Sequence, residues 1–423
     1  SILASSVPAQ VDPGGRSVLF IRGADGSGGA KSGGSFLQRT EQLSDVHNRS
    51  MVPGNHGYGA LRDLLMAEGF RVSQWIESPK LLTRAVLQGH RIIVWGSNNK
   101  VLAASEIQAF HAYIDAGGSA LFLCDADWGS TFGAAPASDN QLLARYGVTV
   151  HQDSGQTPRL ARSEHGRYLI LEHPLLSGPD GAGGADDVGS YDGAGISLFR
   201  IGRGSSGFQA ISLVSALGMQ KRLNTPTGKP GALLPADKND AAMFVVEKGN
   251  ARIVGHFDRN SFFNKNGYGS QLAHLDNASL ARNIFRFLAS VPASARSAGQ
   301  GCGLAGKPIL MASLPILGRR QALGLTGAAP QAPLLLLVSP GRARPVPVPG
   351  GCVLQVDAQG LVLHPAGVTD ARGEWRLSWL LPSRLSFSGF RLTIQGMSMV
   401  ARAPFLGWGE LSNGVELRAG FPR

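Results

Sequence analysis

The stretch Gly117-Gly118-Ser119-Ala120-Leu121-Phe122-Leu123-Cys124-Asp125-Ala126-Asp127-Trp128-Gly129 decides the fold. Two glycines stop the helix before it, an apolar run of strand length follows, and the run ends in an acidic turn that carries a glycine. In an open parallel sheet, ligands sit outside the carboxyl ends of the strands. Cys124, Asp125 and Asp127 therefore mark the place where binding or chemistry is expected.

Working outward, the same alternation recurs. Apolar runs at 16–22, 70–76, 91–96 and 251–257 predict strands, and the last ends at Asp258-Arg259-Asn260-Ser261-Phe262-Phe263-Asn264. Between them, helices are predicted at 56–68, at 79–88 with a proline in the first turn, and at 105–116 with Ile107, Phe110 and Ile114 facing inward. Asp139 is expected to cap a helix through Leu142, Leu143 and Tyr146, which Gly147 ends. Asp276 is expected to cap a closing helix with Leu280, Ile284, Phe285 and Leu288 as its apolar stripe. From 148 to 249 the signal is irregular, with short β runs at 209–214 and 241–247 expected to extend or edge the sheet. Strands alternating with helices at this spacing predict an α/β fold over 16–290: a three-layer sheet of mainly parallel strands with helices on both faces.

The periodicity then changes. Residues 291–300 are small and polar and read as a linker. Beyond them, short runs at 332–338, 352–356, 375–381 and 390–395 are separated by Pro and Gly turns, which predicts an all-β sandwich over 301–423. Residues 1–15 read as a signal-peptide remnant or a disordered N-terminus, with small residues before a cut after Ala9.

A chain of 423 residues has room for two or three domains, each with its own core. The formal charge is +11, yet the basic residues are scattered and do not interleave with aromatics, which excludes a nucleic-acid footprint. No apolar run reaches the ~18 residues a membrane span needs. There are three cysteines. Cys302 and Cys352 lie in Gly-rich turns where an oxidising compartment would allow a disulfide, whereas Cys124 ends a core strand. No Cys-x-x-Cys or Cys/His pair has ligand spacing, so no metal site and no cofactor is expected.

Several blocks resemble a known family. Gly117-Gly118-Ser119 leading into a strand and acidic turn, His173-Pro174-Leu175-Leu176-Ser177-Gly178, Asp192-Gly193-Ala194-Gly195-Ile196-Ser197 and residues 258–264 are similar to the class I glutamine amidotransferase-like superfamily, in its extracytoplasmic branch without amidotransferase activity. The resemblance covers about 16–290 and implies a flavodoxin-type sheet used for ligand binding or assembly. In the tail, Gly301-Cys302-Gly303, Gly351-Cys352-Val353-Leu354, residues 390–395 and Ser412-Asn413-Gly414 are similar to C-terminal β-sandwich domains on secreted proteins of planctomycetes and related bacteria, which implies export.

The amidotransferase elbow needs small neighbours around its cysteine, and here Phe122 stands two residues before Cys124. Even so, His256-Phe257-Asp258 imitates the family's later His-x-Glu pair, so a Cys124–His256–Asp258 relay is the enzymatic alternative: thiol to imidazole, oriented by carboxylate. Buried apolar filling is the plainer reading of Cys124. Asp25, Asp125, Asp127 and Asp258 carry the oxygen ligands a hard cation would use, but helix capping and pairing with Arg, Arg259 above all, is the preferred reading. His56, Tyr58, Ser97, Asn98, Asn99, Arg259 and Asn260 complete the candidate crevice, where a charged fork beside aromatics suits a small polar ligand or carbohydrate. The preferred reading is an exported, non-catalytic binding or assembly protein. The alternatives are a hydrolase or amidase using the relay, and an extracellular structural protein that self-associates through the β domain.

Overall fold

The computed structural model describes residues 15–22, 45–53, 56–76, 81–97, 102–124, 135–152, 154–156, 158–171, 173–177, 187–189, 196–205, 207–225, 231–265, 271–304, 306–382 and 387–421. The chain divides into two compact units, residues 1–289 and 290–423.

The first unit is built on one nine-stranded sheet. Its strands are β1 (Ser17–Arg22), β2 (Arg71–Ile76), β3 (Ile92–Ser97), β4 (Ser119–Leu123), β5 (Val148–Val150), β8 (Phe199–Ile201), β9 (Ala210–Ser215), β12 (Asp240–Lys248) and β13 (Ala251–His256), while β6 (Arg159–Ala161) pairs with β7 (Asp187–Gly189) and β10 (Gln220–Arg222) with β11 (Leu233–Pro235). The order β2-β1-β3-β4-β13 is parallel throughout. From β13 onward every pairing is antiparallel: β12 to β13, β8 and β9, and β8 to β5. The sheet is thus mixed rather than mainly parallel. The cause is the turn Gly249-Asn250, which brings β13 straight back along β12 instead of through a crossover helix.

The helices are α1 (Gly59–Ala67), α2 (Arg84–Gln88), α3 (Ala104–Asp115), α4 (Ala135–Leu143), α5 (Pro174–Ser177) and α6 (Asn277–Ala289). Strand alternation sorts them onto two faces. Leu19 and Ile21 join Ile93, Trp95, Ala120 and Phe122 in a core with Phe110, Tyr113 and Ile114 of α3 and Leu142 and Leu143 of α4. Phe20, between them, turns the other way and stacks against Phe285 of α6 at 6.3 Å. Burying Leu280, Ile284, Phe285 and Leu288 of α6 contributes about 1.5–3 kcal/mol each.

Local chemistry explains the deciding stretch. Gly117 sits at φ +97°, in left-handed territory. A Cβ on Gly118 would enter the ring of Tyr113, whose hydroxyl donates to Arg91 O at 2.7 Å. Arg91 is buried, and its guanidinium clamps the carbonyls of Gly117 and Asn250. The helix expected at 79–88 begins only at Arg84, because Thr83 accepts from Val86 N–H and caps it there; Pro79 lies outside the described residues.

In the second unit every described strand ladder is antiparallel. A five-stranded sheet runs β14 (Ser294–Ala298), β23 (Gly409–Arg418), β22 (Arg391–Met399), β17 (Pro333–Pro340), β20 (Val362–Val368), and a three-stranded one runs β15 (Ile309–Ala312), β16 (Arg320–Thr326), β21 (Trp375–Leu380). Leu310, Leu323 and Leu325 of the smaller sheet share a core with Leu334, Leu336, Ile394, Val415 and Leu417 of the larger. β18 (Val346–Val348) and β19 (Cys352–Leu354) form a separate hairpin. Residues 291–300, read from sequence as a linker, carry strand β14, which pairs residue for residue with β23. Small residues misled that reading; the ladder needs backbone groups, not large side chains. Cys302 and Cys352 stand at disulfide-bond distance, with Cα atoms 5.5 Å apart. No described helix is long and apolar enough to cross a membrane.

Candidate functional site

Because β1, β2, β3, β4 and β13 are mutually parallel, Arg22, Ile76, Ser97, Leu123 and His256 end on one rim of the first unit. Of the residues expected there, Asp25, Asn98, Asn99, Asp125 and Asp127 lie outside the described residues, and Ser97 is described only as the last residue of β3. The others can be placed.

Cys124 follows β4, is 1% exposed, and donates its backbone N–H to His256 O at 3.0 Å. Its thiol donates to Oδ2 of Asp139 at 3.4 Å. Asp139 was expected to cap a helix; instead it lies inside α4. There it is four residues before Leu143 and three before Leu142, on the face turned to the sheet. The residue keeps some solvent contact, but its carboxyl is enclosed. Burial pushes its pKa up to about 7, against the downward pull of the Cys124 hydrogen bond and the Arg259 charge.

His256 is fully buried, its ring 4.4 Å from that of Phe257 and 4.8 Å from that of Phe262. Its Nδ1 is 2.8 Å from Asp258 O and 3.2 Å from Asp258 N; the shorter contact, to an atom that can only accept, favours the proton on Nδ1. Nε2 is buried with no hydrogen-bond partner among the described residues. Desolvation holds the imidazole pKa down at about 3, although the Asp258 carbonyl favours the charged form.

Asp258 caps the 3-10 turn Arg259–Phe262, its Oδ1 accepting from Asn260 N–H at 2.7 Å. Arg259 and Asn260 are both 4% exposed, and Asn260 Nδ2 has no partner among the described residues. The same loop anchors α1: Asn264 Oδ1 accepts from Ala60 N–H at 2.7 Å, and its Nδ2 donates to Asn48 O at 2.6 Å. Phe263 stacks within 5.1 Å of His56 and 5.2 Å of Tyr58. Tyr58, expected to line the crevice, is 0% exposed, because its ring fills the space between Phe20 and Phe263.

The geometry thus joins Cys124 to Asp139, with Arg259 in electrostatic reach, and ties His256 to its own loop. Sequence reading missed Asp139 as the thiol's partner; its i, i+3, i+4 spacing to Leu142 and Leu143 was the available signal. It also missed a charged network that is buried at Lys221 and Asp240 and half-exposed at Asp237 and Arg200. Lys221 Nζ sits 2.5 Å from Asp240 and 3.3 Å from Asp237, and Arg200 pairs with Asp237. Among the described residues, no group of three or more His, Cys, Asp or Glu side chains could hold a metal ion.

No family model matches the chain, and no curated protein matches it. Among solved structures it is similar to the "mmIFT52 N-terminal domain" at 14% identity and TM-score 0.39, covering 64% of this chain and 96% of that one. It is also similar to a ThuA-like protein from Parabacteroides merdae at 13% identity and TM-score 0.32, covering 65% of this chain and 90% of that one. Both TM-scores are too low for either likeness to carry structure or activity across to this chain.

Proposed function

We propose that the first unit is a non-catalytic binding module, of the amidotransferase-like kind without the catalytic elbow, on an exported protein. Its rim at the carboxyl ends of β4 and β13 receives a small polar ligand such as a carbohydrate. The observation that carries this reading is the state of His256: buried, with Nδ1 on the Asp258 carbonyl and a pKa near 3. An imidazole that weakly basic cannot draw the proton from Cys124 near neutral pH. The thiol's partner is instead a carboxyl, beside which a thiolate is disfavoured.

Recognition has support of a second kind. At the end of β13 and on the loop that follows it, His256 Nε2 and Asn260 Nδ2 are buried without partners among the described residues. Each such group costs about 1–3 kcal/mol, and orphaned polar groups call for a compensating role. A ligand hydroxyl that reached them on local opening of the loop would supply the missing hydrogen bonds.

Thermal-shift titration of the full chain with a panel of neutral and acidic mono- and oligosaccharides tests the reading, with Asn260→Ala as the comparison. A saccharide that raises the melting temperature of the wild type but not of the variant supports it. Cys124-dependent hydrolysis of glutamine or of a p-nitroanilide reporter would replace it with the hydrolase alternative.

A further inference from the structure

On the second unit, strand register gathers four arginines around one cavity. Ser294 of β14 stands opposite Arg418 of β23, and Arg296 opposite Glu416. Arg418 in turn stands opposite Arg391 of β22. The segment after β17 closes the group: Gly341 N–H donates to Arg391 O at 3.0 Å, and Thr393 Oγ1 donates to Gly341 O at 3.1 Å. All of these residues but Thr393, together with Arg342 and Leu417, line a cavity of about 230 Å³.

The charge balance of this cavity is unfavourable when nothing fills it. Arg296, Arg342, Arg391 and Arg418 oppose a single carboxylate, Glu416. That carboxylate already accepts from Ala343 N–H at 2.7 Å. Arg418 uses its Nε on Pro292 O at 3.2 Å. Arg296, Arg342 and Arg391 form no salt bridge among the described residues. Like charges placed directly across strands, as Arg391 and Arg418 are, destabilise a sheet. Arg391 shows the strain: desolvation, Arg342 and Arg296 all push its pKa down, and Glu416 offsets them only in part.

We infer that this cavity is an anion site for a tetrahedral oxyanion, a sulfate or phosphate group, held by the guanidinium forks of Arg296, Arg342 and Arg391. Guanidinium is the side chain that meets such oxygens two at a time. Bound oxyanion would relieve the cross-strand repulsion between Arg391 and Arg418. The inference concerns the second unit alone and stands independently of the function proposed for the first.

The test uses the full chain, with sodium sulfate, sodium phosphate and sodium pyrophosphate as probes and sodium chloride at matched ionic strength as control. Titration calorimetry and thermal shift read binding. The oxyanions are expected to bind saturably and raise the melting temperature of the second unit, where chloride does not. Comparing the sulfate and phosphate arms identifies the preferred group. Arg296→Gln, at an exposed position, and Arg391→Gln should each weaken binding by about tenfold or more, as expected for loss of a charge-assisted fork. Without oxyanion at low salt, Arg391→Gln should melt at or above the wild-type temperature, which separates lost binding from misfolding. Equal shifts with chloride and pyrophosphate, or unchanged oxyanion affinity in both variants, would overturn the inference.

Discussion

The Cys124 thiol donates to Oδ2 of Asp139 across 3.4 Å, a partner that neither the buried-filler reading nor the His256 relay alternative had named. This changes what the cysteine can do. A thiol beside imidazole ionises readily, whereas one beside an enclosed carboxyl holds its proton. Arg259 partly compensates the carboxyl but does not bring it back to the ordinary carboxylate range.

Asp139 and His256 give the fold opposite pH dependences. Asp139, raised to about 7, stabilises the fold below pH ~4, and that stability is lost as pH rises to ~7. His256, lowered to about 3, stabilises it above pH ~6.5, and that is lost as pH falls toward ~3. Each contribution is on the order of 4 kcal/mol at full extent. Between pH ~4 and ~6.5 the two slopes cancel. Single variants should uncover them: Asp139→Asn becomes less stable as pH drops through that window, and His256→Gln less stable as pH rises through it. Urea unfolding across the window checks this; variant curves parallel to the wild type would contradict it.

Gly255 sits in β13 directly opposite Phe244 of β12, and a Cβ there would run into the phenylalanine ring. Gly255→Ala should destabilise the first unit by about 1–3 kcal/mol through overpacking. Gly155→Ala is not a fair control, because Gly155 sits at φ +72°. Gly89→Ala is fairer: open space surrounds it, and its denaturation midpoint should stay near the wild type.

Cys302 and Cys352 are separated by 50 residues. A bond closing a loop of that length stabilises by about 4 kcal/mol in the chain-entropy account. Cys352→Ser, or dithiothreitol, should lower the melting temperature of the second unit and leave that of the first unchanged. Equal melting with and without reductant would show that the bond does not form.

What the sequence made legible was whatever depended on local pattern. The runs at 16–22, 91–96 and 119–123 read as buried strands because their centres, 18–21, 92–95 and 120–123, are apolar at every position, and Gly117 and Gly147, both at positive φ, marked the helix stops. What depended on distant pairing did not show. The reversal at Gly249-Asn250 turns a parallel sheet into a mixed one, yet that dipeptide reads as an ordinary turn. β14 was invisible because its stability comes from β23, more than a hundred residues away in the chain. Asp139 looked like a cap because Asp favours caps, and only the sheet beside α4 makes it a buried partner for Cys124.

Cys124 is the one cysteine outside the Cys302–Cys352 pair, so its reaction with iodoacetamide can be followed without interference. The pH profile of that alkylation is the most direct measurement of whether the rim of the first unit is catalytic. Slow modification at pH 7, rising only at alkaline pH and unchanged by His256→Gln, is the expected result. Rapid modification at pH 6–7 that His256→Gln abolishes would contradict the non-catalytic reading and restore the relay.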